Sequence, residues 1–245
     1  MKLIIFIFCF LSSVFAQEFS IHTEEMPPYN YKKDEKVRGL STLFLERIMM
    51  QNKTPINVSK IHLTSWSRAY KDTLKNENGI LYSAARTPER EGLFKWVGPI
   101  DRMQIGLIAK KSKNIKINSV QDLNKYKIGT MSATAAEHML LNLGVEEKNL
   151  DRFSYIESQL KKLAADRVDI VAFSYQAMKF LLEKLELKPD EYELIYTLKE
   201  VELYYAFNKK SDDKLIENLN NIIIKLNSDK KTSFETLKKN SCFVK

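Results

Sequence analysis

The sequence predicts an α/β protein of two lobes joined by a two-stranded hinge. Strand-like runs and amphipathic helical runs alternate along the chain in two βαβ cycles. Only 7 glycines and 6 prolines occur in 245 residues, so no flexible tether separates the two cycles. A strand and a helix remain at the C-terminal end. We expect them to return to the first lobe, so that the chain crosses twice between the lobes and leaves a cleft.

The N-terminal segment predicts export. Residues 1–16 combine Lys2, a short apolar run and a small residue at Ala16, which is the pattern of a cleaved signal peptide. A membrane anchor is the alternative, but a spanning helix needs about 20 apolar residues. We expect a soluble, exported chain that begins near Gln17. Because Cys9 leaves with the signal peptide and Cys242 has no partner, no disulfide is expected, and without a lipid anchor the predicted location is the periplasm.

Charge gives no reason to expect a nucleic-acid partner. The chain has 39 Lys and Arg against 31 Asp and Glu, a formal net charge of +8. The lysines are scattered among acidic residues, which is typical of a solvated surface and not of a basic binding arm.

The predicted elements fall into three parts of the mature chain, with boundaries at 17–104, 105–198 and 199–245. The first part is the first lobe, the second part is the second lobe, and the third returns to the first lobe. Predicted strands cover residues 18–23, 56–63, 80–86, 103–111, 127–131, 152–158 and 168–175, and two more lie within 192–210. Predicted helices cover residues 39–53, 65–79, 118–126, 132–144, 159–167, 176–187 and 212–240.

Signatures of enzymes and metal sites are absent from the sequence. It has no nucleophile elbow, no phosphate-binding loop and no dinucleotide fingerprint. Its three histidines, His22, His62 and His138, are far apart and lack the spacing of metal ligands. We therefore expect neither a metal nor a cofactor.

Two arginines follow the predicted strand at 80–86. Thr87 can cap the turn that comes next, which places Arg90 in its first turn beside free backbone amides. Two guanidinium groups, Arg86 and Arg90, suit a carboxylate, because arginine binds one bidentately. For Arg86 a salt bridge with Glu89 or Glu91 is an equal alternative.

Other candidates also lie where strands end and helices begin. Ser132 and Thr134 open the helix at 132–144, where they would face an anion or only cap the helix. The aromatic side chains of Tyr29 and Trp66 would form walls of the cleft, with burial in the core as the alternative.

The ordered stretches PPYNY, GLSTLFLERI, WSRAY, RTPERE with FKWVGPI, SVQDLNKYKIGT and LAADRVDIVAFSYQAMKFLL resemble the family 3 extracellular solute-binding proteins, the amino-acid-type receptors of ABC importers. The resemblance covers essentially the whole mature chain. It implies a type II periplasmic-binding-protein fold that closes on a small solute. It also implies a monomer that delivers the solute to a membrane permease.

The same resemblance assigns roles to single residues. It implies that Arg90 clamps the carboxylate of the ligand, that Thr134 assists and that Tyr29 packs on the ligand. Family members that bind α-amino acids usually carry an aspartate where this chain has Ser174, and a hydroxyl cannot supply that charge to an ammonium group.

Because Ser174 replaces the usual aspartate, the sequence does not determine the charge of the ligand. Glu24, Glu25 or Glu137 could replace the missing acid, or the ligand could carry more negative charge than a neutral amino acid. Two other functions remain alternatives: a lyase or dehydratase on the same fold, with Glu24 or Glu137 as acid or base, and a ligand sensor without transport.

Overall fold

The computed structural model describes residues 18–241, so the predicted signal peptide at 1–16 and Cys242 lie outside the described residues. An eight-stranded mixed sheet runs through this part of the chain in the order β4-β1-β5-β10-β6-β9-β7-β8, and β2 and β3 form a separate hairpin. The strands are β1 (Ser20–Thr23), β2 (Tyr31–Lys33), β3 (Lys36–Arg38), β4 (His62–Leu63), β5 (Gly79–Ala85), β6 (Phe94–Lys110), β7 (Ile128–Met131), β8 (Leu150–Phe153), β9 (Ile170–Ser174) and β10 (Tyr192–Asn208).

Helices pack against this sheet and bury an apolar core. None of the helices within residues 18–241 has both the length and the apolar character needed to cross a bilayer. The α-helices are α1 (Leu40–Gln51), α2 (Trp66–Lys75), α3 (Ala135–Asn142), α4 (Ile156–Ala164), α5 (Tyr175–Lys184), α6 (Asp213–Ser228) and α7 (Phe234–Asn240).

Two long strands join the halves of the molecule. β6 and β10 each have 17 residues and pair antiparallel from Tyr192 opposite Lys110 to Asn208 opposite Phe94. β5 pairs with the end of β10 near Phe207, whereas β9 pairs with β6 from Ile105 onward. The first lobe therefore contains β1–β5 with α1, α2, α6 and α7, and the second contains β7–β9 with α3–α5. The predicted fold class is confirmed.

In each lobe an inner strand of the parallel sheet is buried along its whole length. β1 pairs in parallel with β4 and β5, and β7 pairs in parallel with β8 and β9. All residues of β5 and β9 are buried. Their sequences GILYSAA and IVAFS are accordingly short apolar runs with small residues and not alternating ones, as expected for strands covered by helices on both sides.

Several predicted elements differ from the observed ones; the strand predicted at 103–111, for example, already begins at Phe94. Of the strand predicted at 56–63, only His62–Leu63 is strand, and Val58–Lys60 is a 3₁₀ turn, because the side chain of Asn57 accepts the backbone N–H of Ser59. The strand predicted at 152–158 ends at Phe153, and Ile156 already begins α4.

In the C-terminal part, after residue 191, the predicted elements differ more from the observed ones. The two strand segments predicted within 192–210 are one strand, because pairing with β6 continues through its polar middle. The single helix predicted at 212–240 is two helices, since Ser233 starts a new one by accepting the N–H of Thr236.

Helix α1 starts without a side-chain cap, and Gly39 makes this start feasible. The N–H of Leu40 donates to the carbonyl of Pro28 at 2.9 Å, and that of Ser41 to the carbonyl of Tyr29 at 2.9 Å. Gly39 has φ +122°, and a Cβ atom on it would lie 2.3 Å from the Tyr29 oxygen. Only glycine allows both the backbone angle and this close approach.

We predict that Gly39→Ala lowers the free energy of unfolding by about 2 kcal/mol or more, because it adds backbone strain to a clash with main-chain atoms. Gly92→Ala is the matched control, since a Cβ atom there meets nothing within 4 Å. Urea denaturation of both variants measures the effect. Equal stability of the two variants would contradict this account of the helix start.

Candidate functional site

A small cavity lies between the lobes, where the carboxyl ends of β1, β5, β7 and β9 meet. Ligands in α/β proteins bind at this edge of the sheet. The cavity has a volume of about 40 Å³, room for only a few water molecules. Its walls are mostly apolar, and its polar groups come from both lobes. The apolar side chains include Met26, Trp66, Met103, Ile105 and Phe173, and the polar ones are Glu24, Ser83, Arg90, Thr134 and Ser174.

Arg90 is buried at the wall of this cavity. It ends the 3₁₀ turn Pro88–Arg90 and is 2% exposed. Nη1 donates to the carbonyl of Ala85 at 3.1 Å, and the guanidinium carbon lies 4.7 Å from the ring centre of Trp66. Burial lowers the pKa of Arg90 to about 10, so the side chain stays charged at neutral pH. Nε has no hydrogen-bond partner within the described chain and keeps an N–H for a ligand.

The carbonyl oxygen of Ala133 connects the two lobes. It accepts the indole N–H of Trp66 at 2.7 Å and the Nη2–H of Arg90 at 2.9 Å, both from the first lobe. Ala133 has φ +62°, and its N–H donates to a carboxylate oxygen of Glu137 at 2.6 Å. Glu137 is held in turn by Arg152. The loop of the second lobe is thereby fixed, and the lobes are closed on each other.

Glu24 is the acid that reaches the cavity. It follows β1, is 8% exposed and lines the cavity. Burial raises the pKa of Glu24 to about 8, with Arg90 acting to lower it and Glu157 to raise it further. Without a ligand, the group is therefore mostly protonated at pH 7.

The two other acids named as replacements lie elsewhere. Glu25 forms an ion pair of 2.7 Å with Lys184 of the second lobe. Glu137 serves the Ala133 loop, as described above, and does not line the cavity. Of the three acids, the structure places Glu24 alone beside Arg90 in the cavity.

Ser83 was missed by sequence reasoning. It lies inside β5 with φ +56°, opposite a shift in register at which Tyr204 pairs with Ala84 and Tyr205 with Tyr82. Such a bulge re-aims one side chain, here into the cavity, where the Ser83 hydroxyl has no partner in the described structure. A serine in an apolar strand gives no sequence signal for a bulge.

The two hydroxyls of the second lobe that line the cavity, Thr134 and Ser174, both cap helices. Thr134 accepts the N–H of Glu137 at 3.3 Å and donates to the carbonyl of Met131 at 2.8 Å. Ser174 accepts the N–H of Ala177 at 3.3 Å at the start of α5. Both line the cavity, and Ser174, which only accepts within residues 18–241, keeps its O–H donor, whereas Thr134 uses both its donor and an acceptor.

Arg86 points away from the cavity. Its Nε donates to Glu91 at 2.7 Å, which is the ion pair named as the alternative. The guanidinium lies over the rings of Trp96 and Tyr204, at 5.7 and 5.3 Å from their centres. The sequence placed the two arginines together, but the structure separates them.

Tyr29 and Ser132 also lie outside the cavity lining. Tyr29 is 1% exposed, and its hydroxyl donates to Asp101 of the hinge strand β6 at 2.9 Å. Met26 lines the cavity in place of Tyr29, whose hydroxyl bonds Asp101 on the hinge strand. Ser132 lies in the turn before Ala133 and is partly exposed.

Metal ligands do not cluster in this region. Within residues 18–241, no group of three or more His, Cys, Asp or Glu side chains is arranged to hold a metal ion.

A family model matches nearly the whole described chain. The family is described as bacterial extracellular solute-binding proteins, family 3, and its model matches residues 20–237. The chain belongs to this family. The resemblance found in the sequence is thereby confirmed, and the cleft between the lobes is the cleft of a family 3 solute-binding protein. No curated protein sequence matches the chain.

Solved structures agree with the family assignment. A mutant of ArgBP from T. maritima is similar with a TM-score of 0.76 and 14% identity, over 90% of this chain and 93% of that one. ArtJ from Geobacillus stearothermophilus, an arginine-, lysine- and histidine-binding protein, gives 0.77 and 17%, over 91% and 94%. A histidine kinase sensor domain with similarity to periplasmic binding proteins gives 0.78 and 14%, over 91% and 95%. At these identities the similarity shows the shared fold.

We predict that Trp66→Phe shifts the ligand-free protein toward an open form, because it removes one of the two donors to the Ala133 carbonyl. A hydrogen bond contributes about 0.5–1.5 kcal/mol, so the ratio of open to closed molecules should rise roughly two- to tenfold. Small-angle X-ray scattering or a fluorescence pair across the lobes measures the change.

Trp96→Phe is the matched control for this variant. The indole N–H of Trp96 is buried without a partner in the described residues, so its loss removes no hydrogen bond between the lobes. If Trp96→Phe opened the protein as far as Trp66→Phe does, the Ala133 carbonyl would not hold the lobes together.

Proposed function

We propose that this protein is a periplasmic solute-binding protein that captures a small carboxylate-bearing solute between its lobes and delivers it to the membrane permease of an ABC importer. The observation that carries the proposal is the buried guanidinium of Arg90. It lines a cavity enclosed by both lobes and keeps an N–H without a partner in the described chain. The family assignment supports capture of an extracellular solute.

Arg90 suits a carboxylate for electrostatic reasons. It is charged and desolvated, and it is held in place by a carbonyl on each lobe and by the ring of Trp66. A charge-assisted hydrogen bond in such a dry site is stronger than one in water. Of the predicted helix-terminal hydroxyls, Thr134 already donates and accepts within its own lobe, whereas Ser174 only accepts in the described chain and keeps its O–H for a ligand.

Closure explains how binding becomes a signal to a transporter. Trp66 and Arg90 of the first lobe reach Ala133 of the second only when the lobes meet, and Glu25 reaches Lys184 in the same way. A solute that contacts both lobes favours this closed arrangement over an open one. We propose that segments 17–104 and 199–245 together form one moving part and segment 105–198 the other, and that the two move relative to each other about β6 and β10.

Catalysis on the same fold is the second candidate, and Glu24 is the observation that favours it. A buried carboxyl group with a pKa of about 8 suits a general acid or base. We propose binding without turnover. Incubation of the protein with a mixed pool of small metabolites, followed by NMR, separates the two, since an enzyme consumes a component and a receptor does not.

We predict that a carboxylate-bearing ligand raises the stability of the protein and that Arg90→Gln abolishes the effect. Ligand at about 100 times its Kd should stabilise the fold by roughly 2.7 kcal/mol. A thermal-shift screen of amino acids, dicarboxylates and small peptides measures this. Arg86→Gln is the matched control, since Arg86 pairs with Glu91 outside the cavity, and it should keep the full shift.

Trp66→Phe provides a second control for Arg90→Gln. It loosens closure and leaves the guanidinium in place, so it should weaken binding without abolishing it. An unchanged thermal shift in Arg90→Gln would remove Arg90 from the site and overturn the proposed carboxylate clamp.

A further inference from the structure

Two histidines of the first lobe lie outside the cavity, and the proposed function does not use them. His22 of β1 and His62 of β4 face each other in the register of the two parallel strands. Their rings are stacked, with centroids 5.0 Å apart and planes 22° from parallel. His22 is 5% exposed, whereas His62 is exposed. One imidazole is therefore buried against another near the edge of the sheet.

The surroundings of His22 suit a neutral ring and not a charged one. Its Nε2 is bonded to the hydroxyl of Ser20 at 2.8 Å, and its Nδ1 is buried without a hydrogen-bond partner in the described residues. A neutral imidazole has one N–H, and a second proton would leave a buried N–H on Nδ1 without an acceptor. Burial lowers the pKa of His22, and a charge on His62 lowers it further, so the ring is mostly neutral at pH 7.

Charged side chains around the pair do not compensate for a proton on His22. On α2, Asp72 acts to raise the pKa of His22 but also pairs with Arg68 at 3.8 Å. On the β2–β3 hairpin, Lys32 and Glu35 line the same crevice and pair with each other at 2.7 Å. β5, on the other side of β1, has no charged residue. Each acid here has a cation beside it, so the cost of burying a charged ring is not offset.

β4 is a short strand at the edge of the sheet. It consists of His62 and Leu63 and pairs with β1 over those two residues. One further hydrogen bond continues the pairing, from the N–H of Thr64 to the carbonyl of Thr23 at 3.0 Å. Local opening takes little free energy where few buried contacts and hydrogen bonds must be broken. Separation of β4 from β1 would bring a charged His22 into contact with water.

Separation of the two strands reaches the cleft through Trp66. This residue begins α2 four positions after His62, and its indole N–H donates to the Ala133 carbonyl of the second lobe at 2.7 Å. Glu24, two positions after His22, lines the cavity. Movement of β4 would therefore break a bond that holds the lobes together.

We propose that the pair of histidines is an acid-sensitive element of closure, in which a proton on His22 separates β4 from β1 and withdraws Trp66 from Ala133. Acid then favours the open form through this pair. The inference concerns the solute-free protein and holds whatever solute the cavity binds.

The pH range of the effect follows from proton binding to the two forms. His22 has a lower pKa in the closed form than in a form where water reaches its ring, so the closed form binds fewer protons. The neutral ring therefore favours the closed form fully above about pH 6.5, the ordinary pKa of histidine, and this contribution is lost as the pH falls below that value. One proton changes the ratio of the two forms by at most about tenfold per pH unit.

Glu24 has the opposite effect and must be held constant. Burial raises its pKa to about 8 in the closed form, so the closed form binds the proton of this group more tightly and acid favours closure through it. Glu24→Gln removes this titration and leaves a neutral side chain of the same shape in the cavity.

A fluorescence pair across the lobes measures the ratio of open to closed molecules in the solute-free mature chain carrying Glu24→Gln. Between pH 7 and pH 5 the ratio should rise at least about threefold, since one buried ring gains a proton. This range ends above the ordinary pKa of carboxyl groups, about 4. His22→Gln in the same background should abolish the rise, because its amide can still bond Ser20 but does not titrate.

Two further variants in this background separate the pair from other groups. His62→Gln removes a charge that opposes the proton on His22, so it should reduce the rise without abolishing it. His138→Gln, on α3 outside the pair, is the matched control and should keep the rise.

A ratio that stays constant between pH 7 and pH 5, an equal rise in His22→Gln, or a rise that is lost in His138→Gln would overturn the inference. If His22→Gln does not fold, an unreduced rise in His62→Gln overturns it. Circular dichroism over the same range distinguishes opening from unfolding. Loss of the helical signal along with the rise would mean that the first lobe unfolds, which also overturns the inference.

Discussion

The carbonyl oxygen of Ala133 is the point on which the closed structure depends. It accepts the indole of Trp66 and the guanidinium of Arg90 from the opposite lobe, and Glu137 fixes the loop that presents it. A backbone carbonyl can serve in this way because the residue adopts a positive φ, which turns the peptide out of the helix that follows. The same bond that holds the lobes together also orients Arg90.

Closure in turn creates the electrostatics of the cavity. Arg90 and Glu24 are both removed from water, which lowers the pKa of one and raises that of the other. Each group is more sensitive to a bound charge in this dry site than it would be at the surface. Affinity and closure are therefore linked, since a solute that pairs with these groups also stabilises the contacts that buried them.

Most helices and strands, and part of the candidate site, could be predicted from the sequence. Periodic runs such as that of α1 and short apolar runs such as β5 were predicted closely, because one face or both must be buried. The strand predicted at 56–63 forms only at His62–Leu63, because Asn57 makes a local turn before it, and the single helix predicted at 212–240 was wrong because Ser233 starts another. Local side-chain hydrogen bonds decided both, and their outcome depends on three-dimensional contacts.

The sequence by itself determined the fold class and the resemblance to the family. It also determined that Arg90, Glu24 and Trp66 lie at the ends of elements, because strand and helix periodicity fix which residues reach the carboxyl edge of the sheet. Tertiary structure alone decided that Arg86 turns to Glu91, that Tyr29 turns to Asp101 and that a bulge brings Ser83 inward. It also decided which of three acids faces Arg90. These outcomes depend on side-chain direction and on contacts between distant segments, which spacing along the chain does not specify.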